Sequence, residues 1–122
     1  MVESYRDLEV WQKARELVRR IYRLTQTLPG TERFGLISQM QRAAVSAPAN
    51  IAEGWSRGQT RDYIRFLSIA RGSLAEIETY LILCVDLQYV SEDKLSDLCT
   101  FTQQIGRMLN GLQQSLRHHV SS

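Results

Sequence analysis

The chain has 122 residues, of which 43% are hydrophobic, and a formal net charge of +2 at pH 7. This length predicts one domain with one core, and the composition is that of an ordinary globular protein. No stretch approaches the roughly 18 consecutive apolar residues that a membrane span needs, and the charged N-terminus lacks the pattern of an export signal. We therefore expect a cytoplasmic protein.

The first predicted helix covers residues 5–28. It opens at the capping-box-like pair Ser4 and Asp7 and ends before Pro29 and Gly30. Its apolar residues recur at helical spacing, and this stripe consists of Leu8, Trp11, Ala14, Val18, Ile21, Thr25 and Leu28.

The second predicted helix covers residues 32–57, with Thr31 as its cap. Its inward stripe consists of Phe34, Ile37, Met40, Ala44, Ala47 and Ile51. Pro48 removes one backbone hydrogen bond, so we expect a kink and a freed carbonyl near Ala44. Asn50, Ser46 or Ser73 is expected to satisfy that carbonyl.

The third and fourth predicted helices cover residues 60–88 and 91–117, the latter capped by Ser91. Their inward stripes are Tyr63, Phe66, Leu67, Ala70, Leu74, Ile77, Leu81 and Cys84, and then Leu95, Leu98, Thr102, Ile105, Leu109, Leu112 and Leu116. We expect the tail 118–122 to be disordered.

Long helices joined by short loops are expected to run antiparallel to their neighbours. The sequence therefore predicts an all-α protein, with residues 1–122 forming a single antiparallel up-down-up-down four-helix bundle. A turn near residue 58 would set Ala47 opposite Ala70, and the small side chains on both helices would allow close packing. Gly54 and Gly58 follow a helix rather than precede one, so this segment does not have the pattern of a phosphate loop.

Two rows of arginines recur at every fourth residue, which places each row on one helix face. Arg15, Arg19 and Arg23 form the first, with Arg20 and Lys13 beside it, and Arg57, Arg61 and Arg65 form the second. Rows of this kind can neutralise several phosphates, so all seven arginines are candidate nucleic-acid contacts. The alternative is a solvated face, because Glu16 and Asp62 lie within a turn of these cations.

A second possible class is a protein-interaction scaffold without direct nucleic-acid contact. Its anchors would be Tyr5, Tyr22, Trp55 and Tyr89, which lie outside or at the edge of the apolar stripes. These aromatic residues could equally close a subunit interface.

The sequence does not favour an enzyme, a metal site or a cofactor. The histidines, His118 and His119, lie together in the tail, so no catalytic residue and no inward Glu-x-x-His pair is predicted. Cys84 and Cys99 are too far apart in sequence for a zinc or redox motif, and we expect both to be reduced residues of the core. Their spacing leaves open whether they lie close together.

Several segments together resemble the four-helix-bundle family of 23S rRNA intervening-sequence proteins. The matching segments are Asp7-Leu8 with Val10 to Ala14, Glu32 with Phe34-Gly35-Leu36 and Gln39, Arg42 to Ala44, Asn50 to Gly54 with Arg57, and Phe66 to Ala70 with Gly72-Ser73 and Glu76. The NIAEG block, at its distance from FGL and FLSIARGS, is the most specific of them. The sequence departs from the family pattern at Gln41, where a basic residue is common, and at Trp55-Ser56, where a small pair is common.

The resemblance implies a ring-like homopentamer without known enzymatic activity. The family is named for genes in insertions within 23S rRNA genes, and a relative of the fold, the accessory variability protein of diversity-generating retroelements, binds a reverse transcriptase and nucleic acid. RNA or another nucleic acid, or a protein such as a reverse transcriptase, are therefore the expected partners. Structural or interface roles are expected for Arg42, Asn50, Glu53, Gly54, Trp55 and Glu76.

Overall fold

A computed structural model describes residues 2–121 of the chain, with side chains up to His119. Over this range the protein is all-helical and contains no strand. Its elements are a 3-10 turn at Tyr5–Asp7, α1 at Glu9–Thr25, a second 3-10 turn at Gly30–Glu32, α2 at Leu36–Ser56, α3 at Thr60–Asp86 and α4 at Glu92–Ser121. The four α-helices pack as a bundle, in which α2 contacts α1 and α3, and α4 contacts α3 and α1.

One hydrophobic core runs through the bundle, and most of the predicted inward residues lie in it. On α1 the buried face is rotated relative to the prediction: Val10 and Leu17 are buried, whereas Trp11 and Val18 are only partly buried. Both sets of apolar residues have helical spacing, so the pattern alone did not determine which set faces the neighbouring helices.

The N-terminal boundary of α1 differs from the prediction. Ser4 and Asp7 do form a capping box, but it caps the 3-10 turn rather than the long helix. Leu8 then adopts an extended conformation, with φ −72° and ψ 125°, and α1 begins after it. The expectation of one continuous helix from residue 5 is therefore wrong.

The start of α2 is set by a side chain from the preceding turn. The N-cap residue is Gly35 and not Thr31, and Glu32 Oε1 accepts a hydrogen bond from the Leu36 backbone N–H at 3.2 Å. A Cβ at Gly35 would lie 2.9 Å from that same oxygen, so a larger residue there would displace the Glu32 carboxylate. Because α2 starts at Leu36, Phe34 lies in the loop and is 90% exposed, and its prediction as a core residue is wrong.

Glu32 also connects the two loops at this end of the bundle. Its Oε2 accepts a hydrogen bond from the Tyr89 hydroxyl at 2.7 Å, between the α1–α2 loop and the α3–α4 loop. The Tyr89 hydroxyl, followed by the Leu36 N–H, lowers the pKa of the Glu32 carboxyl. The same bond raises the pKa of Tyr89, so both partners keep the protonation states that the bond requires.

Small side chains line the contact between α2 and α3, as predicted. Ala47 and Ala70 are fully buried, and the hydroxyls of Ser46 and Ser73 lie 2.9 Å apart. Ser73 of α3 thus lies level with Ser46 of α2. At the end of α2, a Cβ at Gly54 would lie only 2.8 Å from the Cβ of Phe66, which shows how closely the two backbones approach.

Pro48 lies inside α2, and the helix continues on both sides of it. The side chain of Asn50 donates hydrogen bonds to the Ser46 carbonyl at 2.8 Å and to the Ser46 hydroxyl at 2.9 Å. The side chain of Asn50 thus bonds the carbonyl of Ser46 and not that of Ala44, so the expectation that Asn50 satisfies the carbonyl freed by Pro48 is not met.

The contact between α3 and α4 contains a polar residue that the sequence analysis did not single out. Gln113 is fully buried on α4. Its amide nitrogen donates to the Ile64 carbonyl at 3.0 Å and to the Ser68 hydroxyl at 2.7 Å, and its Oε1 accepts from Arg71 at 2.9 Å. A buried amide with these three partners fixes how α4 sits on α3.

The last helix is longer than predicted. α4 extends through His118 and His119 to Ser121, beyond the predicted end at 117. The expectation of a disordered tail is therefore not met over residues 118–121. Ser122 lies outside the described residues.

Candidate nucleic-acid interface

The α1 row, defined as Arg15, Arg19 and Arg23, lies on the outer face of the bundle. Each of the three side chains is exposed. The buried residues of α1, including Ala14, Leu17 and Ile21, lie on the opposite side of the helix. The row therefore points into solvent.

Glu16 partly neutralises this face. Its carboxylate forms an ion pair with Arg19 at 2.9 Å and a longer one with Arg20 at 3.7 Å. The hydrogen bond from Arg19, helped by the charges of Arg19, Arg20 and Arg23, lowers the pKa of Glu16. Exposed ion pairs of this kind are weak, so an incoming phosphate could replace Glu16 as the partner of either arginine.

Two cations beside the α1 row instead pack against α4. The Arg20 guanidinium lies over the Phe101 ring at 4.0 Å from its centroid, and the Lys13 ammonium lies 5.8 Å from the same centroid. Such cation–π contacts stabilise the packing of α1 on α4. The structure thus separates Arg20 and Lys13, which contact α4, from the α1 row, whose ring contact, Arg15 over Trp11 at 5.7 Å from the centroid, lies within α1.

The α2–α3 row, defined as Arg57, Arg61 and Arg65, lies where α2 turns into α3. Arg57 and Arg65 both place their guanidinium groups over the Phe66 ring, at 5.0 and 4.6 Å from its centroid. Arg57 also pairs with Glu53 at 3.3 Å, and Arg65 with Asp62 at 3.7 Å. All three arginines are exposed, yet two of them already hold aromatic and acidic partners.

The remaining predicted motif residues have different environments. Glu53 forms a surface ion pair with Arg57, and Gly54 permits the close approach to Phe66. Arg42 and Glu76 are exposed, and the Glu76 carboxylate lies 3.5 Å from the Tyr80 hydroxyl.

Trp55 is partly buried in a shallow groove at the α2–α3 turn, which Tyr63 also lines. The Tyr63 hydroxyl is buried without a hydrogen-bond partner in the protein, and burial raises its pKa. Trp55 therefore lines a groove at this end of the bundle, and the Tyr63 hydroxyl is the one buried side-chain polar atom of the described part without a hydrogen-bond partner.

The aromatic residues considered as anchors are only partly available. Tyr5 packs edge-on against Trp11 with ring centroids 5.3 Å apart, and Tyr89 is held by Glu32. Tyr22 remains 39% exposed.

The two cysteines are both free thiols. Cys84 is buried, with its sulfur 3.9 Å from that of Met40, and burial raises its pKa. Burial raises the pKa of Cys99 as well, so neither is an activated nucleophile. Among the described residues, no group of three or more His, Cys, Asp or Glu side chains has the arrangement of a metal site.

The fold and these surfaces define a small helical-bundle protein with exposed arginine rows. Residues 6–111 match the family of 23S rRNA-intervening sequence proteins, and because this match covers most of the chain, the protein belongs to that family. It is also similar to a crystal structure from Bacteroides thetaiotaomicron, described as a protein with unknown function from the S23 ribosomal protein family. That similarity has a TM-score of 0.79 and 26% sequence identity, and covers 85% of this chain and 97% of that chain. No curated protein matches.

Within the described part of the chain, no helix has the length and apolar character that a membrane crossing requires.

Proposed function

We propose that this protein is a non-enzymatic, oligomeric RNA-binding protein that contacts phosphates mainly through the α1 row. The observation that carries the proposal is the outward position of Arg15, Arg19 and Arg23 on a helix face that contributes nothing to the core. Arginine suits this role because its planar fork binds phosphate at two points.

The charge balance favours the α1 row over the α2–α3 row. The segment of α1 that carries the first row holds five cations, which are Lys13, Arg20 and the row itself, and two carboxylates, Glu9 and Glu16. The segment that carries the second row holds three arginines and two carboxylates, Glu53 and Asp62. The α1 face thus keeps the larger positive excess, and we assign the α2–α3 row a secondary contribution.

The proposal includes a homo-oligomer, for which the family resemblance suggests a pentamer of antiparallel up-down-up-down bundles. Two contacts support the antiparallel order. Met40, near the start of α2, contacts Cys84, near the end of α3, whereas Gly54, near the end of α2, approaches Phe66, near the start of α3. An oligomer would repeat the α1 row in each subunit and so multiply its phosphate contacts.

The absence of enzymatic activity belongs to the same proposal. It is supported by the raised pKa values of both cysteines and by the position of the histidines at the exposed end of α4. A cytoplasmic location would follow from this role, because that is where RNA is available.

The experiment is binding of the purified protein to a structured 23S rRNA fragment and to an unrelated duplex across a salt series, with the oligomer mass checked by light scattering. We expect binding that falls with salt and prefers one of the two nucleic acids. No binding near physiological salt would refute the RNA function. It would favour the alternative of a scaffold that docks a protein, for which Tyr22 is the exposed aromatic anchor.

A further inference from the structure

The α1–α2 loop presents an aromatic side chain that has no role in its own core. Phe34 is 90% exposed. The loop is held in place on both sides of it: the Arg33 N–H bonds the Gly30 carbonyl at 3.1 Å, and the Gly35 N–H bonds the Glu32 carbonyl at 3.0 Å. A preorganised loop loses little entropy on binding, so Phe34 has the properties of an interface anchor.

A groove of about 350 Å³ lies between the end of α3 and the start of α4. It is lined by the apolar side chains Leu81, Ile82, Val85 and Leu95, and by the acidic pair Asp86 and Glu92. Ile82 is 59% exposed and Leu95 is buried, so the groove has an open edge and a covered floor. Its size and lining suit one aromatic ring.

The charge beside the anchor is opposite to the charge at the groove. Arg33 lies against the Phe34 ring at 5.5 Å, so the two side chains are presented together. At the groove, both Asp86 and Glu92 are exposed. The same asymmetry holds for the chain as a whole, because residues 1–58 carry nine Lys and Arg against six Asp and Glu, whereas residues 59–122 carry six against seven.

We propose that Phe34 of one copy inserts into the α3–α4 groove of a second copy, with Arg33 facing Asp86 and Glu92 there. The inference rests on the homo-oligomer of the proposed function and names a contact between its subunits. Loop and groove lie at the same end of the bundle, since Glu32 and Tyr89 join the α1–α2 and α3–α4 loops. Anchor and groove are different surfaces, so the contact is head-to-tail and can close into a ring.

The first test replaces Phe34 by alanine and measures the mass of the protein by light scattering over a concentration series. Truncating a central aromatic anchor weakens a contact by about thirtyfold or more, so we expect Phe34→Ala to dissociate at concentrations where the wild type stays assembled. The far-UV circular dichroism should not change, because the side chain is exposed. Tyr22→Ala is the control, as it truncates another exposed aromatic residue outside loop and groove.

The second test separates the two halves of the contact. Ile82→Asp should also dissociate the protein, by placing a charge at the groove edge. A mixture of Phe34→Ala and Ile82→Asp retains one intact anchor and one intact groove, so we expect heterodimers of one copy of each. A mixture that stays monomeric would contradict the direct contact.

The third test exchanges the charges. Arg33→Asp should weaken assembly by repulsion from the acidic groove, and adding Asp86→Arg to the same chain should restore it. Failure of the double variant to assemble better than Arg33→Asp would contradict the proposed pairing.

An unchanged oligomer mass for Phe34→Ala, or a monomeric wild type, would overturn the inference. RNA binding is a separate readout, because the α1 row takes no part in this contact. A wild-type ring that Phe34→Ala disrupts, but that does not bind RNA, would leave the contact standing and refute the RNA function. A wild-type monomer that binds RNA would refute the contact and leave the RNA function standing.

Discussion

The close approach of α2 and α3 at Gly54 makes a quantitative prediction about two glycines. A Cβ at position 54 would lie 2.8 Å from the Phe66 Cβ and 3.2 Å from the Tyr63 carbonyl oxygen. Neither atom can swing away, because the first is fixed to the α3 backbone and the second belongs to it. Gly54→Ala therefore requires the two helices to separate by roughly 0.6 Å before an ordinary contact of 3.4 Å is reached.

Two opposing terms determine the result. Alanine is favoured over glycine inside a helix by about 1 kcal/mol, whereas overpacking costs about 1–3 kcal/mol. Gly72 provides the matched control, since it lies within α3 and a Cβ there would meet nothing within 4 Å. The helix-propensity term favours alanine in both variants, and only Gly54→Ala is overpacked, so we expect Gly54→Ala to be less stable than Gly72→Ala by about 1–3 kcal/mol.

The assay is urea unfolding followed by far-UV circular dichroism, with all proteins at one concentration because any oligomer makes stability concentration-dependent. Gly72→Ala should be more stable than wild type, and Gly54→Ala less stable than Gly72→Ala. Equal stabilities for the two variants would refute the close helix approach at Gly54.

Two further variants test the polar contacts between elements. Gln113→Ala should lower the free energy of unfolding by about 1–3 kcal/mol, because it removes a fully buried amide together with its hydrogen bonds to α3, while Gln114→Ala on the exposed face of α4 should have little effect in the same urea assay. Tyr89→Phe tests the bond to Glu32, which lowers the pKa of the Glu32 carboxyl below its ordinary value of 4.5. A lowered pKa stabilises the folded protein at pH values above 4.5, and this stabilisation is lost as the pH falls through the folded-state pKa. We therefore expect Tyr89→Phe to lose less stability on acidification than wild type, and identical pH profiles would contradict the bond.

The helical fold was predictable from the sequence because apolar residues with helical spacing cover almost the whole chain. The ends of the helices were less predictable. Phe34 continues the apolar spacing of α2, yet the Glu32 side chain starts the helix two residues later at Leu36. Glu32 is bonded in turn to Tyr89, which lies 57 residues beyond Glu32 in the chain, and local pattern does not contain such a contact.

The candidate surface was predictable only in part. The outward position of the α1 row follows from its spacing, since three residues four apart share one helix face. The stacking of Arg20 on Phe101, and of Arg57 and Arg65 on Phe66, depends on how helices face each other, so it could not be read from spacing. Gln113 gave one signal, a polar residue near the apolar stripe of α4, but its partners on α3 required the structure.

The most direct test of the RNA function is the salt dependence of binding for two matched triple variants. Arg15→Gln, Arg19→Gln and Arg23→Gln together remove the α1 row, and Arg57→Gln, Arg61→Gln and Arg65→Gln remove the same charge from the α2–α3 row. If the α1 row contacts phosphates, the first variant should bind RNA more weakly than the second, with the slope of log K against log salt reduced by about two to three for three lost contacts. Equal affinities and slopes for the wild type and the α1-row variant would contradict the account.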